Sequence, residues 1–451
     1  MNITEVLQFA DELVFANQGK HLDDSQEVVV KGVWEGKTYE EIAEQSNRSE
    51  RHVRDIGYKL WKILSEQLGE DIKKSNFRST LERVYIKSSK FIGLVNHHNF
   101  HFCTQTFNQS NNNRESAPNN KSKLIYHDLA LAPQIIKFYN RETEFKKLDK
   151  WIFNQDIGLI SVLGLPGIGK TTLVKRFVDL NLEQFEVVIW KSLQFPKPLT
   201  LLVSDFLNVC QEEVKETLDD KLKQLFDIFT EKRCLIILDD VQNIFISGQF
   251  AGQYQSEYKK YQKFFTTITE TQHQSNLILI SQDKCAEMCC LDEELYYARC
   301  LELSGLDDVK IFNNTGLKDE ESWSTLIKLY EGNPLYLKII ANSIKNIFNG
   351  YVAEFLDENE LIITKDIQIN LQLLFNKLSS KEQQIVLKLS NFDQPVYRED
   401  LKACLELSST DFISSLESLQ QRYLVAKIKG DRILFKLSPV FREYVKNCCK
   451  D

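Results

Sequence analysis

The sequence predicts a multidomain chain: an N-terminal helix-turn-helix, an α/β phosphate-loop domain with a parallel sheet, a helical subdomain and a C-terminal winged helix. Three observations predict it. A short apolar run at Leu159–Leu163 passes through a glycine-rich turn into helix-compatible residues. Around it strand and helix patterns alternate, the signature of a parallel sheet with helices on both faces. Capped helical series lie before and after, and the last one leads into a strand, a Lys429-Gly430-Asp431 turn and a second strand.

A length of 451 residues supports several domains with sizeable cores. We expect boundaries at 1–92 (helix-turn-helix), 93–125 (flexible linker), 126–304 (phosphate-loop domain), 305–364 (helical subdomain) and 365–451 (winged helix). The net charge of −8 implies no global attraction to nucleic acid or membrane. Ten cysteines without regular spacing, and no secretory leader, fit reduced thiols and a cytoplasmic location. The group Cys285, Cys289, Cys290 and Cys300 lacks paired C-x-x-C ligands, so it reads as structural thiols rather than a zinc site. No apolar run approaches the length that spans a bilayer, so no membrane partner is expected.

At the N-terminal side, Thr38 and Glu41 form a capping box opening the helix YEEIAEQSN, and Ser49 can cap a longer helix from Glu50 to about Leu68. On the second helix Val53, Ile56, Leu60 and Leu64 recur at helical spacing and point inward. That leaves Arg51, Arg54, Asp55, Tyr58, Lys59 and Lys62 outward, a face that suits a DNA major groove or a docking protein equally. The Asn-, Ser- and His-rich stretch from Asn96 to about Asn120 cannot bury a core and reads as linker. Its His97, His98, His101 and Cys103 read as polar linker residues, since nothing nearby would hold them in tetrahedral order.

Gly164, Gly169, Lys170 and Thr171 satisfy G-x-x-x-x-G-K-[ST]. Glycines suit such a loop because its main-chain N–H groups must close around phosphate oxygens, where side chains would intrude. The candidate phosphate contacts are Gly164, Gly167, Ile168, Gly169, Lys170, Thr171 and Thr172. Lys170 neutralises the β- and γ-phosphates, Thr171 ligates Mg²⁺, and the helix N-terminus adds partial positive charge. Further strands are expected at Phe185–Trp190, Cys234–Leu238, Leu277–Ile280 and Leu301–Leu303, with helices at Lys170–Val178, Leu201–Val209, Leu222–Phe229 and Tyr258–Thr269. The strand from Cys234 ends in two carboxylates. Asp239 there can hold the hydrated Mg²⁺ beside Thr171, and Asp240 can polarise an attacking water. Beyond Gly305 the patterns turn helical, with Ser379 and Glu382 forming a second capping box before the strands Leu424–Lys427 and Ile433–Leu437.

Taken in order, these residues resemble the NB-ARC branch of the STAND nucleotide-switch P-loop NTPases. Phe138-Tyr139-Asn140-Arg141-Glu142 looks like its adenine-side signature, Gly164–Thr172 its phosphate loop and Leu238-Asp239-Asp240 its magnesium strand. Leu303-Ser304-Gly305-Leu306 and Gly332-Asn333-Pro334-Leu335 resemble the two motifs of its helical subdomain. The segment from Gly248 to Ser281 is similar to cyanobacterial-type members, and residues 25–85 resemble their N-terminal helix-turn-helix associated with vWA and MoxR proteins. The resemblance implies ATP/ADP and Mg²⁺ as cofactors, with Tyr139, Arg141 and Pro334 on the nucleoside side. It also implies that ADP holds the parts closed and that exchange for ATP opens them. Two departures stand out: Gln282 follows Ser281 where the family has a γ-phosphate-sensing arginine, and Leu437-Ser438-Pro439 aligns with Met-His-Asp, whose histidine reads the ADP phosphates.

The expected function is therefore a signalling switch that hydrolyses ATP slowly, with Lys170 and Asp240 as its catalytic residues, and relays its state through the N-terminal module. Expected partners are a signalling protein, of vWA or MoxR type, and a second copy of the chain in a nucleotide-dependent homo-oligomer. One alternative is a DNA-binding transcription regulator that nucleotide tunes. Another is a metabolic phosphotransferase, which needs an acceptor pocket and an arginine-bearing lid that the sequence does not display.

Overall fold

The protein was studied as a computed structural model that describes residues 22–68 apart from 35 and 47, the isolated positions 6, 7, 14, 72–74 and 77, and residues 126–449 apart from 136, 289–296, 359 and 430–431. The chain forms two compact units, Met1–Arg114 and Glu115–Asp451. The expected linker with its His97, His98, His101 and Cys103, as well as Cys289 and Cys290, lies outside the described residues.

In the first unit, α1 (Asp24–Trp34), α2 (Tyr39–Gln45) and α3 (Glu50–Leu68) pack around Val29, Val30, Trp34, Ile42, Val53, Leu60 and Leu64. Thr38 caps α2 in a reciprocal box with Glu41. Of the inward residues expected on α3, Ile56 is only half-buried, while Trp61 and Ile63 are buried as well, so the apolar face is wider than a four-residue stripe. Trp61 donates its indole N–H to the Tyr39 hydroxyl at 2.8 Å. Arg51, Arg54, Asp55, Tyr58, Lys59 and Lys62 are all exposed, and Arg54 pairs with Glu50 one turn back.

The second unit is built on a six-stranded, all-parallel sheet of order β1-β3-β4-β5-β2-β6: β1 Tyr126–Asp128, β2 Leu159–Leu163, β3 Val187–Ser192, β4 Cys234–Asp239, β5 Asn276–Ser281 and β6 Ala298–Glu302. Strand alternation feeds two cores. Leu159 and Leu163 face the core formed with α6 (Leu199–Val209), α7 (Leu218–Glu231) and α8 (Lys260–Glu270). Ile160 and Val162 face the other core, with α4 (Glu142–Asp149), its π-helical continuation Lys150–Asn154, and α5 (Lys170–Asn181). Burial on both faces explains why the central strands read as unbroken apolar runs.

After β6 come α9 (Trp323–Leu329), α10 (Pro334–Ile347), α11 (Val352–Leu356), α12 (Lys365–Asn376) and α13 (Ser380–Ser390). Then follow β7 (Val396–Tyr397), α14 (Arg398–Ala403), α15 (Ser409–Gln421), β8 (Val425–Lys429), β9 (Ile433–Leu437) and α16 (Pro439–Cys448). The three short strands form an antiparallel sheet of order β7-β9-β8. Apolar side chains from Leu306 through Val445 share one hydrophobic cluster, so both expected C-terminal segments bury their surfaces together. Among the described residues no helix is long and apolar enough to cross a membrane.

Candidate functional site

Strand β2 lies between β5 and β6, and its carboxyl end carries the glycine-rich loop. Gly164, Gly167 and Gly169 have φ of 143°, 74° and 100°, all in the region that L side chains avoid. Gly167 has a second reason to be glycine. A Cβ there would stand 2.4 Å from the Leu335 Cβ and 3.0 Å from the Asn333 Oδ1. The loop is thus pressed against the start of α10, where Asn333 caps the Leu335 amide and donates its Nδ2 to the Pro166 carbonyl at 2.9 Å. Pro334 occupies the first turn of that helix, where a missing N–H costs nothing.

Helix α5 begins at Lys170, and its N-cap Gly169 offers no side-chain cap. Its first amides are therefore left to another acceptor, the arrangement that suits an anion. Lys170 is buried, and its Nζ donates to the carbonyls of Gly164 and Leu165, both at 2.9 Å. Burial lowers its pKa to about 8, against the opposing pull of Asp239, Asp240 and Asp283. Thr171 donates its Oγ1 hydroxyl to the Asp239 Oδ1 at 3.3 Å across the intervening β5. Asp239, at the end of β4, is buried beside Asp240, and desolvation, then that neighbouring charge, raise its pKa. A carboxylate so placed gains most from a cation. Thr171 and Asp239 together thus supply the hard oxygen donors that Mg²⁺ takes.

Asp240 has φ 60° and accepts hydrogen bonds from Ser192 at 3.4 Å and from the Gln242 Nε2 at 2.9 Å. Gln242 in turn accepts from the Gln282 amide at 3.1 Å, linking the end of β4 to the end of β5. Gln242 has no signal in the sequence, because a lone glutamine three residues beyond a strand carries no motif.

The remaining candidate residues lie at the other edge of the loop. Arg141 is buried, and its Nη2 donates to the carbonyls of Ile168 at 3.1 Å and Ser304 at 2.8 Å while Nη1 pairs with Glu144 at 2.8 Å. Its guanidinium braces the loop through main-chain acceptors. Ile168 buries its side chain in the core beneath α5, Thr172 is half-buried in the first turn, and Tyr139 packs half-buried against the C-terminal cluster. Beside Tyr139 an open cleft of about 540 Å³ is lined by Phe138, Asn140, Glu142, Asp307, Asp308 and Lys310. Ser438, the position aligned with a phosphate-reading histidine, caps α16 and donates its hydroxyl to the Glu331 Oε2 at 2.5 Å. That carboxylate also accepts from the Val440 amide at 3.2 Å.

A glycine-rich loop between a central parallel strand and a helix, with a strand-end carboxylate touching the threonine after its lysine, defines a P-loop nucleotide-binding domain. Residues 141–294 match the model of the NB-ARC domain, and residues 1–84 match that of the vWA-MoxR associated protein N-terminal HTH. The chain thus carries an NB-ARC domain and, at its N-terminal side, a vWA-MoxR-associated helix-turn-helix. It is 33% identical over 341 residues to a WD repeat-containing protein of Nostoc sp., covering 71% of this chain and 27% of that protein. It is 32% identical over 140 residues to the ToMV resistance protein Tm-2(2) of Solanum lycopersicum, covering 30% of this chain and 15% of that one. The chain thus spans about a quarter or less of the length of these relatives. Among solved structures, the Walker-type ATPase of Pyrococcus abyssi aligns with a TM-score of 0.46 at 16% identity, covering 68% of this chain and 96% of that one.

Proposed function

We propose that the chain is an ATP/ADP-binding signalling switch with slow ATP hydrolysis, which relays its nucleotide state through the N-terminal helix-turn-helix. The observation that carries this reading is the 3.3 Å contact between Thr171 and Asp239 beside the buried Lys170, within a loop whose glycines leave its main chain open. In this reading the amides of Gly167 to Thr172 hold the phosphates and Lys170 neutralises them. Thr171 and Asp239 hold Mg²⁺, which when bound offsets charge between the β- and γ-phosphates. Asp240, fixed by Ser192 and Gln242, orients the attacking water. Tyr139 and Pro334 flank the nucleoside, and Arg141 keeps the loop in shape for it. Gln282 brings no charge to the γ-phosphate, which supports slow turnover.

The division into 1–92, 93–125, 126–304, 305–364 and 365–451 belongs to the same proposal. Its last part is a winged helix: α13, β7, α14, α15, β8 and β9 follow in the order helix, strand, helix, helix, strand, strand. The effector is a signalling protein docked on the N-terminal module, the active state is a nucleotide-dependent homo-oligomer, and the location is cytoplasmic. Mass spectrometry of the nucleotide that co-purifies with the protein tests the reading. ADP is expected, and recovery of a guanine nucleotide in its place would overturn the adenine assignment.

A further inference from the structure

Arg422 follows α15 and its side chain is only 5% exposed. The guanidinium is divided three ways: Nε donates to the Glu382 Oε1 at 3.1 Å, Nη1 to the Asp283 Oδ2 at 2.9 Å and Nη2 to the Gln249 carbonyl at 2.6 Å. Glu382 sits on α13, packed with α15 in the C-terminal cluster, whereas Asp283 and Gln249 belong to the parallel-sheet domain. Around this ion cluster three main-chain amides of the sheet domain donate to the C-terminal side: Gly248 to the Lys377 carbonyl at 3.0 Å, Ala251 to the Ser418 Oγ at 2.7 Å and Lys284 to the Gln421 carbonyl at 3.1 Å. The joint at this point is polar, a set of charges and main-chain bonds.

Burying a guanidinium with two carboxylates adds little net stability, because desolvation offsets most of the attraction. What matters is how the charges divide when the joint parts. Glu382 stays with Arg422, and Ser418 still donates to the same Oε1 at 2.7 Å, so the C-terminal side keeps its charges satisfied. Asp283 alone passes into water, where a carboxylate is well solvated. A core ion pair offers no such clean cut.

We propose that Arg422 is a reversible latch closing the C-terminal segment onto the parallel-sheet domain, with Asp283 as its catch. Asp283 follows Gln282 at the end of β5, the strand lying between the phosphate-loop strand and the Asp239 strand. Gln282 is tied through Gln242 to Asp240 at the end of that neighbouring strand. A change of charge at the phosphate loop is therefore felt at the catch, a coupling that rests on the proposed nucleotide site, whereas the latch itself does not.

The test is hydrogen–deuterium exchange of the full chain, reading the amides of Gly248, Ala251 and Lys284. Arg422→Ala strands two buried carboxylates and can prevent folding, so Asp283→Asn decides: it weakens the catch while leaving Arg422 paired with Glu382. Without nucleotide, Asp283→Asn should speed exchange at those amides by about tenfold or more, with β2 and β4 as protected as before. Unchanged exchange at the joint, or losses spread equally into β2 and β4, would overturn the latch. With saturating ADP, slowing at the joint in the unaltered protein that disappears in Asp283→Asn supports the coupling, and equal slowing in both refutes it. A protein that binds no ADP sinks the nucleotide site but leaves the first comparison intact.

Discussion

Replacing Gly167 by alanine should damage the protein more than replacing Gly169, although both glycines hold positive φ in the same loop. At Gly169, with φ 100°, an added Cβ meets no atom within 4 Å, so the cost is backbone strain alone. That strain is about 1–2 kcal/mol for an L residue in left-handed space. At Gly167, with φ 74°, the same strain applies and the methyl also collides with the Leu335 Cβ at 2.4 Å, an atom that cannot rotate away. Overpacking of this kind adds about 1–3 kcal/mol. Either α10 retreats, losing the Asn333 bond to Pro166, or the loop deforms. Urea unfolding of the two variants should separate them by about 1–3 kcal/mol. Equal losses would mean that the start of α10 does not press on the loop, and the packing argument for this edge of the site would fall.

Asp239→Ala should weaken magnesium-dependent ATP binding more than ADP binding, since a metal held there would offset the greater phosphate charge of ATP; equal losses in titration calorimetry would remove Asp239 from the metal site. Unaided turnover should be slow, about one per minute or less, because Gln282 lends no charge to the transition state. A phosphate-release assay giving several turnovers per second would contradict that. Ser438→Ala should cost about 2–4 kcal/mol of stability, since it removes both the cap of α16 and a hydrogen bond to the buried Glu331. A thermal unfolding curve that does not move would show that Glu331 finds another donor.

Much of the site was legible because its signals are local. The apolar run before Gly164, the loop itself and the carboxylates after Leu238 each require particular residues at short spacing, and the sheet brings them together as expected. Capping boxes at Thr38 and Ser379 were equally readable, since the partner lies three residues on. Strand onset was less so. The strand expected from Phe185 begins at Val187, after a turn in which Phe185 buries its ring without joining the ladder. Tyr126–Asp128 went unseen because three residues of mixed polarity at a sheet edge show no period. Contacts between distant residues left no trace in the sequence. The bonds of Arg141 to the Ile168 and Ser304 carbonyls, and those of Arg422 to Asp283 and Glu382, join residues too far apart in sequence for any spacing to show them. Glu382 combines both cases: its capping role is visible from Ser379, its role at Arg422 only in the fold.

The central claim is that the loop around Lys170 binds an adenine nucleotide through its phosphates. Titration calorimetry with ADP and magnesium, on the unaltered protein and on Lys170→Ala, tests it most directly. The removed ammonium lies against the Gly164 and Leu165 carbonyls rather than in an apolar core, so the variant should fold. ADP binding should fall by at least tenfold in Lys170→Ala, the loss of a charge-assisted contact of about 1.5–3 kcal/mol. Unchanged ADP affinity in a folded Lys170→Ala protein would contradict the account.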